Sequence, residues 1–112
     1  MASTRLHGNK PTRVQLFSGS TALSDGTEIT LSESYSNFAS LTFLFLTGSS
    51  STRMGANLPT EDFVGTWVAL RNSSQNGAVR IAINTSDTTK VTVTNVTGFS
   101  SISLAAVYGY IN

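Results

Sequence analysis

The chain has little of what enzymes and metal proteins use for chemistry. Its 112 residues include no cysteine, one histidine and six acidic side chains. The lack of cysteine excludes disulfides and thiolate metal sites. Charged residues make up 12% of the chain, and the net charge is +1. Because this charge is so small, no electrostatic argument favours nucleic acid or an acidic membrane as a partner, and we expect neither.

The residues that catalysis would need are poorly placed. His7 lies in a polar N-terminal stretch, which is a poor position for the fixed geometry of a catalytic triad. Glu61 and Asp62 are adjacent and would point to opposite sides of an extended chain, unlike the facing carboxylates of a glycosidase. The other carboxylates are too scattered for a calcium site. We therefore expect no catalytic residue, no metal, no cofactor and no enzymatic activity.

No apolar run is long enough to cross a membrane as a helix. The most apolar stretch, Phe38–Thr47, has about ten residues, half of what a transmembrane helix needs. Its residues alternate with the period of two that is typical of a strand, and apolar side chains occur on both faces of that strand. This pattern predicts a central strand covered on both faces. The N-terminus has no apolar segment typical of a signal peptide, so we expect synthesis in a cytoplasm.

Short alternating segments recur along the chain from Arg13 to the C-terminus. They number about seven or eight and are separated by turn signals such as Asp25-Gly26 and Asn76-Gly77. This pattern predicts an all-β fold, an antiparallel β-sandwich or jelly roll. We expect one sandwich domain over residues 13–112, preceded by an extended arm over residues 1–12. The Gly/Ser-rich segment Gly48–Asn57 is predicted to be a mobile loop.

The apolar parities of these segments predict the core. We expect it to contain Leu41, Phe43, Phe45, Trp67, Ile81, Ile83, Val91, Val93, Leu104 and Val107. Trp67 has two interpretations. Its position in the middle of a strand favours the core, whereas an exposed indole in the same place would be a platform on which a sugar ring stacks.

Contacts with a partner are expected in two regions. The arm is polar and weakly basic and cannot form a core of its own, so it is available to order on a partner. The predicted loop adds two residues at its tip. The candidate contact residues are Arg5, Leu6, His7, Lys10, Arg13, Arg53 and Met54.

The two ends of the domain carry short motifs. The C-terminal segment Ile102–Ile111 reads ISLAAVYGYI, and the opening contains Leu16–Ser20, Ile29–Leu31 and Tyr35–Phe38. These motifs resemble the small β-domains of tailed-phage virion proteins, and the resemblance covers Val14–Ile111. Such domains are found at the tips of tail fibres, where they bind host glycans, and as decoration or cement proteins on capsids.

The size and the apparent autonomy of the chain resemble the second group. Having its own Met1 and no coiled-coil or collagen-like stem, it is similar to the jelly-roll staple proteins on capsids of epsilon-type short-tailed Salmonella phages. The resemblance implies a capsid decoration protein on the outside of the virion that ties coat subunits together. Its expected partners are the major coat protein and other copies of itself. The alternative is a receptor-binding tip domain of a tail fibre that recognises host glycan.

Overall fold

The computed structural model describes residues 13–47, 53–60, 66–71, 76–99 and 101–111. The predicted arm, residues 1–12, lies outside these ranges.

The described residues form eight strands in two antiparallel four-stranded sheets. The first sheet has the order β1-β8-β3-β4 and the second the order β2-β7-β6-β5. This architecture confirms the predicted antiparallel sandwich. The strands are β1 Arg13–Ala22, β2 Thr27–Thr30, β3 Ser40–Thr47, β4 Arg53–Pro59, β5 Thr66–Arg71, β6 Asn76–Ile83, β7 Lys90–Thr97 and β8 Ile102–Tyr110.

The first two strands pair with the last two. β1 pairs with β8 and β2 pairs with β7, so the two ends of the chain are joined within both sheets. The middle strands pair with their sequence neighbours, β3 with β4 and β5 with β6. A 3-10 turn at Tyr35–Asn37 leads from β2 into β3.

Strand β3 supplies the centre of the core, as its alternation predicts. Leu41, Phe43 and Phe45 are 0%, 1% and 0% exposed. The two phenylalanine rings stack with centroids 6.4 Å apart and an interplanar angle of 18°. The opposite parity, including Leu44 and Leu46, is half-buried on the outside of the sheet. The inner face is therefore fully covered, whereas the outer face is only partly covered.

Most of the predicted core is buried, with two exceptions. Trp67 is 52% exposed, so its placement in the core was wrong. In β5 the aliphatic parity, Val68 and Leu70, faces inward and is 5% exposed at each position. Because successive side chains of a strand point to opposite faces, burying these two residues turns Trp67 outward. Ile83 is half-buried and packs against the edge of the core.

Two turn predictions also need correction. Asn76 and Gly77 are strand residues that pair with Arg71 and Leu70, and not a hairpin turn. A Cβ at Gly77 would lie 2.5 Å from the ring of Phe99, so this glycine is needed for close packing.

Residues 53–57 belong to β4, although a Gly/Ser-rich loop was predicted over Gly48–Asn57. The remaining residues of that loop, 48–52, lie outside the described ranges.

The turn between β6 and β7 is held by Asp87. Its Oδ1 accepts hydrogen bonds from the Thr89 hydroxyl at 2.6 Å and from the Thr89 amide at 3.0 Å. The hydroxyl, followed by the amide, stabilises the carboxylate and lowers the pKa of Asp87. This contribution to stability is present above the ordinary carboxyl pKa and is lost as the pH falls through the lowered value.

Substitution of the central ring tests the core. Phe43→Ala removes a buried ring and should cost about 3–5 kcal/mol in free energy of unfolding. Small domains have only about 5–15 kcal/mol in total, so the folded yield should fall sharply. Leu46→Ala, on the half-buried outer face of the same strand, is the control and should cost about 1 kcal/mol or less. Equal costs in urea denaturation would contradict the assignment of the two faces.

Candidate functional site

The outer side of the first sheet carries two tyrosines amid amide, hydroxyl and leucine side chains. Strand register places these outward residues in rows across all four strands. We call this surface the tyrosine face. Its members are Arg13, Gln15, Ser40, Thr42, Leu44, Leu46, Arg53, Asn57, Tyr108 and Tyr110.

Tyr108 is held from β1 by two side chains. The Gln15 Nε2 atom donates a hydrogen bond to the Tyr108 hydroxyl at 3.3 Å. The Arg13 guanidinium carbon lies 4.4 Å from the centroid of the Tyr108 ring, within the range of a cation–π contact. These contacts fix the orientation of the ring before any partner arrives.

Asn57, in the edge strand β4, is held by hydrogen bonds on the same face of the sheet. Its Nδ2 atom donates to the Thr42 hydroxyl at 2.7 Å and to the Ser40 hydroxyl at 3.2 Å. The Asn57 side-chain carbonyl remains available to accept a hydrogen bond from a partner. Because these side chains are already ordered, a partner would not have to immobilise them, which lowers the entropic cost of binding.

The tyrosine face contains no acidic residue. None of the four strands of the first sheet, as the structure describes them, includes Asp or Glu. Both Arg13 and Arg53 are exposed on it. Protein interfaces are enriched in tyrosine and arginine and depleted in acidic side chains and lysine. The composition therefore fits a protein partner whose contact surface is neutral or acidic.

The tyrosine face also includes an apolar strip in the C-terminal half of β3. Leu44 and Leu46 are half-buried in β3. A Cβ at Gly55 would lie 3.1 Å from the Cδ2 atom of Leu44, so the leucine lies across this glycine. Because Gly55 has no side chain, the Leu44 side chain can lie close to the backbone of β4.

The second sheet presents a different outer surface. Trp67 in β5 lies directly opposite Arg80 in β6, and Arg80 lies opposite Asn95 in β7. Directly opposed residues of antiparallel strands share one face of the sheet. We call these three residues the tryptophan row. It lies on the side of the sandwich away from the tyrosine face.

An open cavity of about 460 Å³ lies beside the start of β3. It is lined by Tyr35, Ser36, Phe38, Ala39 and Thr60. The Thr60 hydroxyl is buried and has no hydrogen-bond partner in the described part of the protein. A buried hydroxyl without a partner destabilises the fold by about 1–3 kcal/mol.

Thr60→Val should therefore stabilise the protein, because it replaces an unpaired hydroxyl with a methyl group of similar size. We expect the free energy of unfolding to rise by about 1 kcal/mol or more in urea denaturation. Thr42→Val is the matched control, since the Thr42 hydroxyl is paired with Asn57. That variant should be destabilised. A less stable Thr60→Val protein would indicate that this hydroxyl is satisfied in the folded state.

The candidate contact residues fall into three groups in the structure. Arg13 and Arg53 are exposed on the tyrosine face, at opposite edges of the sheet. Met54 is 7% exposed and pairs with Phe45, so its side chain belongs to the core and is not displayed to a partner. The arm residues Arg5, Leu6, His7 and Lys10 lie outside the described ranges.

Sequence reasoning missed most of the tyrosine face. Gln15, Asn57, Tyr108 and Tyr110 were not among the predicted contacts. The pair Tyr108 and Tyr110 in one strand was a signal, although Ile102 and Leu104 share their parity in the sequence and are buried only because of a register shift in the pairing of β8 with β3. Nothing in the sequence, however, showed that β1 and β4 would place Gln15 and Asn57 on the same surface.

Within the described ranges, no group of three or more His, Asp or Glu side chains is arranged to hold a metal ion. The described residues include no helix with the length and apolarity to cross a membrane.

No protein-family model matches the chain, and a search of curated proteins finds no similar sequence.

Proposed function

We propose that this chain is a structural protein of a tailed-phage virion that decorates the capsid. It binds the outside of the shell through the tyrosine face and ties neighbouring coat subunits together. The observation that carries this proposal is the composition of that face: ordered tyrosine, arginine and amide side chains, an apolar strip and no acidic residue. This combination favours a protein surface over a small ligand.

The mechanism is stabilisation by selective binding. A protein that binds the assembled shell and not the free subunits shifts the equilibrium towards the shell by mass action. Each contact can be modest, because many copies act on one particle. The resemblance of Val14–Ile111 to small virion β-domains supports this setting, and the β-sandwich fits the fold that the resemblance implies.

A receptor-binding tip of a tail fibre is the second candidate. The observation that favours it is the exposure of Trp67, because an exposed indole suits a glycan better than a core position would. The two candidates differ in the surface that they use. Capsid decoration depends on the tyrosine face, whereas a fibre tip would act through the opposite sheet.

Negative charge on the tyrosine face should weaken binding to purified capsid shells. The double variant Gln15→Glu/Asn57→Asp preserves shape, and both new carboxylates can accept hydrogen bonds from the neighbouring hydroxyls of Tyr108 and Thr42. We expect a Kd at least tenfold higher, about 1.4 kcal/mol, in co-sedimentation with shells.

The matched control places the same charges on the other sheet. Asn76→Asp/Asn95→Asp should bind shells within about twofold of the original affinity, since both substituted residues lie in the second sheet and are distant from the proposed contact. Equal weakening in both double variants would indicate a general charge effect. Unchanged binding in Gln15→Glu/Asn57→Asp would remove the tyrosine face from the contact.

The arm provides a second test. Residues 1–12 join the domain at Arg13, which begins the edge strand β1 and contacts Tyr108. An extended arm of twelve residues reaches about 40 Å, enough to cross a subunit boundary and add a strand to a neighbouring sheet. Ordering it costs about 1–2 kcal/mol per residue, so we expect it to be ordered only on a partner.

Deletion of residues 1–12 should leave the β-domain folded, with an unchanged circular dichroism spectrum. The same deletion should weaken shell binding at least tenfold, about 1.4 kcal/mol. Equal binding by the truncated and full-length proteins would assign the whole contact to the sandwich.

A further inference from the structure

Asn76 and Gly77 form the one Asn-Gly pair in the chain. Asparagine is a chemically labile residue, and it is most labile before glycine, which has no Cβ to hinder attack by its backbone nitrogen on the asparagine side chain. The pair was predicted to be a turn, but both residues lie in strand β6. Asn76 is exposed at the first position of that strand. The reactive pair is therefore part of a sheet and accessible to water.

Deamidation of this pair needs only water as a co-reactant. The Gly77 backbone nitrogen loses its proton to water or hydroxide and attacks the Asn76 Cγ atom. A bond forms between that nitrogen and Cγ, the bond from Cγ to Nδ2 breaks, and the side-chain nitrogen takes up a proton and leaves as ammonia. Water then opens the resulting succinimide ring at either carbonyl. The product is aspartate or isoaspartate, and in isoaspartate the backbone runs through the side-chain carbon.

Strand pairing opposes this reaction. Ring closure requires the peptide between Asn76 and Gly77 to rotate until its nitrogen faces the Asn76 Cγ atom. In the folded protein Asn76 pairs with Arg71 and Gly77 pairs with Leu70, so the peptide belongs to the ladder between β5 and β6. The ladder holds the peptide in its extended orientation, and the rotation requires that pairing to break.

The residues that follow β7 cover the same peptide. A Cβ at Gly98 would collide with the Asn76 carbonyl oxygen and would lie 2.6 Å from the Gly77 Cα atom, so Gly98 packs directly on this peptide. The φ angle of Gly98 is 81°, a conformation that favours glycine. A Cβ at Gly77 would lie 2.5 Å from the Phe99 ring. Gly98 and Phe99 therefore confine the peptide that has to rotate.

The one Asp-Gly pair of the chain is protected in a different way. The Asp25 Oδ1 atom accepts a hydrogen bond from the Val96 amide at 2.9 Å, and the Gly26 amide donates to the Val93 carbonyl at 2.7 Å. Both groups that would react there are bound to β7, and a carboxylate is a poorer electrophile than an amide. At Asn76 the protection depends on pairing and on the packing of Phe99, whose side chain is only half-buried.

We propose that Asn76 is a modification site that deamidates spontaneously when the start of β6 separates from β5 and from Gly98 and Phe99. The intact fold suppresses the reaction. Openings of this kind have free energies from nearly zero at frayed ends up to that of global unfolding. The conversion is irreversible because ammonia is lost. The proposal does not depend on the capsid contact, because it concerns the second sheet.

The two products should differ in their effect on the fold. Aspartate keeps the shape of asparagine, and its carboxylate lies at an exposed position, so it should leave the sheet intact. Isoaspartate adds a backbone carbon where Gly98 leaves no room, so the start of β6 should not return to its place. Protein aged in solution should therefore have a lower free energy of unfolding than the Asn76→Asp variant, measured in urea denaturation.

Peptide mapping by mass spectrometry tests the proposal directly. The full chain is incubated at mildly alkaline pH, which favours loss of the Gly77 amide proton, either folded or in concentrated guanidinium chloride. Trypsin cuts after Arg71 and Arg80 and releases the segment that contains Asn76. We expect Asn76 to convert in denaturant ahead of the other asparagines. In the folded protein the same conversion should be slower by at least about tenfold.

Two variants separate local protection from global stability. Phe99→Ala removes the ring beside Gly77 and should speed the conversion of Asn76 in the folded protein by at least about fivefold. Val96→Ala is the matched control, because Val96 is also half-buried and packs against the same core. The two rates are compared at denaturant concentrations that give both variants the same free energy of unfolding. Under those conditions Phe99→Ala should still react faster.

Four results would overturn the proposal. They are no preferential conversion of Asn76 in denaturant, equal rates in the folded and denatured protein, equal rates in Phe99→Ala and Val96→Ala, and aged protein that is as stable as Asn76→Asp. None of these outcomes bears on shell binding through the tyrosine face, so the two proposals can fail separately.

Discussion

The pairing of β8 with β3 is the contact on which the rest of the structure depends. On its inner side it places Val107 opposite Phe43 and Leu104 opposite Phe45, and all four side chains are 1% exposed or less. On its outer side the same pairing places Tyr108 opposite Thr42. Core and candidate contact surface are therefore two sides of one ladder. A one-residue slip in this register would exchange them, so the core fixes which residues a partner meets.

Gly109 shows how strictly this ladder is constrained. A Cβ at this position would lie 2.5 Å from the ring of Phe38, so only glycine lets that ring close the end of the core. Phe38 follows the 3-10 turn at Tyr35–Asn37, and its burial fixes the position at which the chain enters β3. The turn, the glycine and the central strand form one packing unit.

Alternation in the sequence was enough to predict the sandwich, the central position of β3 and most of its core. Successive side chains of a strand point to opposite faces of the sheet. In β6 and β7 the aliphatic residues Val79, Ile81, Val91 and Val93 fall on one of these faces, and all four are buried. Trp67 was misplaced because both parities of its strand contain large apolar residues. The choice between them depends on the sheet that covers the strand, which local sequence does not report.

The candidate surfaces were harder to predict for a related reason. The tyrosine face is assembled from the first strand, the last strand and two consecutive middle strands, and its order, β1-β8-β3-β4, is a property of the topology. Gln15 reaches Tyr108 across 93 positions of sequence. Single-strand patterns identify which residues point outward, but only the strand order shows which of them meet. Arg13 was selected for its charge, and its contact with the Tyr108 ring became visible only in the folded chain.

A low content of charge gives these two surfaces their character. With 12% charged residues, the sandwich cannot rely on electrostatic attraction and presents ordered hydrogen-bonding groups instead. The tyrosine face has the composition of a protein contact, and the tryptophan row offers a single stacking platform on the other side. The two surfaces belong to different sheets and lie on opposite sides of the sandwich.

We propose that the chain lies on a capsid with its tyrosine face against the coat. Electron cryomicroscopy of virions that carry the protein is the decisive measurement, at a resolution that orients the two sheets. We expect density on the capsid lattice, with Tyr108 and Asn57 towards the shell and Trp67 towards solvent. Density at the end of the tail, or capsid density with the tyrosine face turned outward, would contradict it.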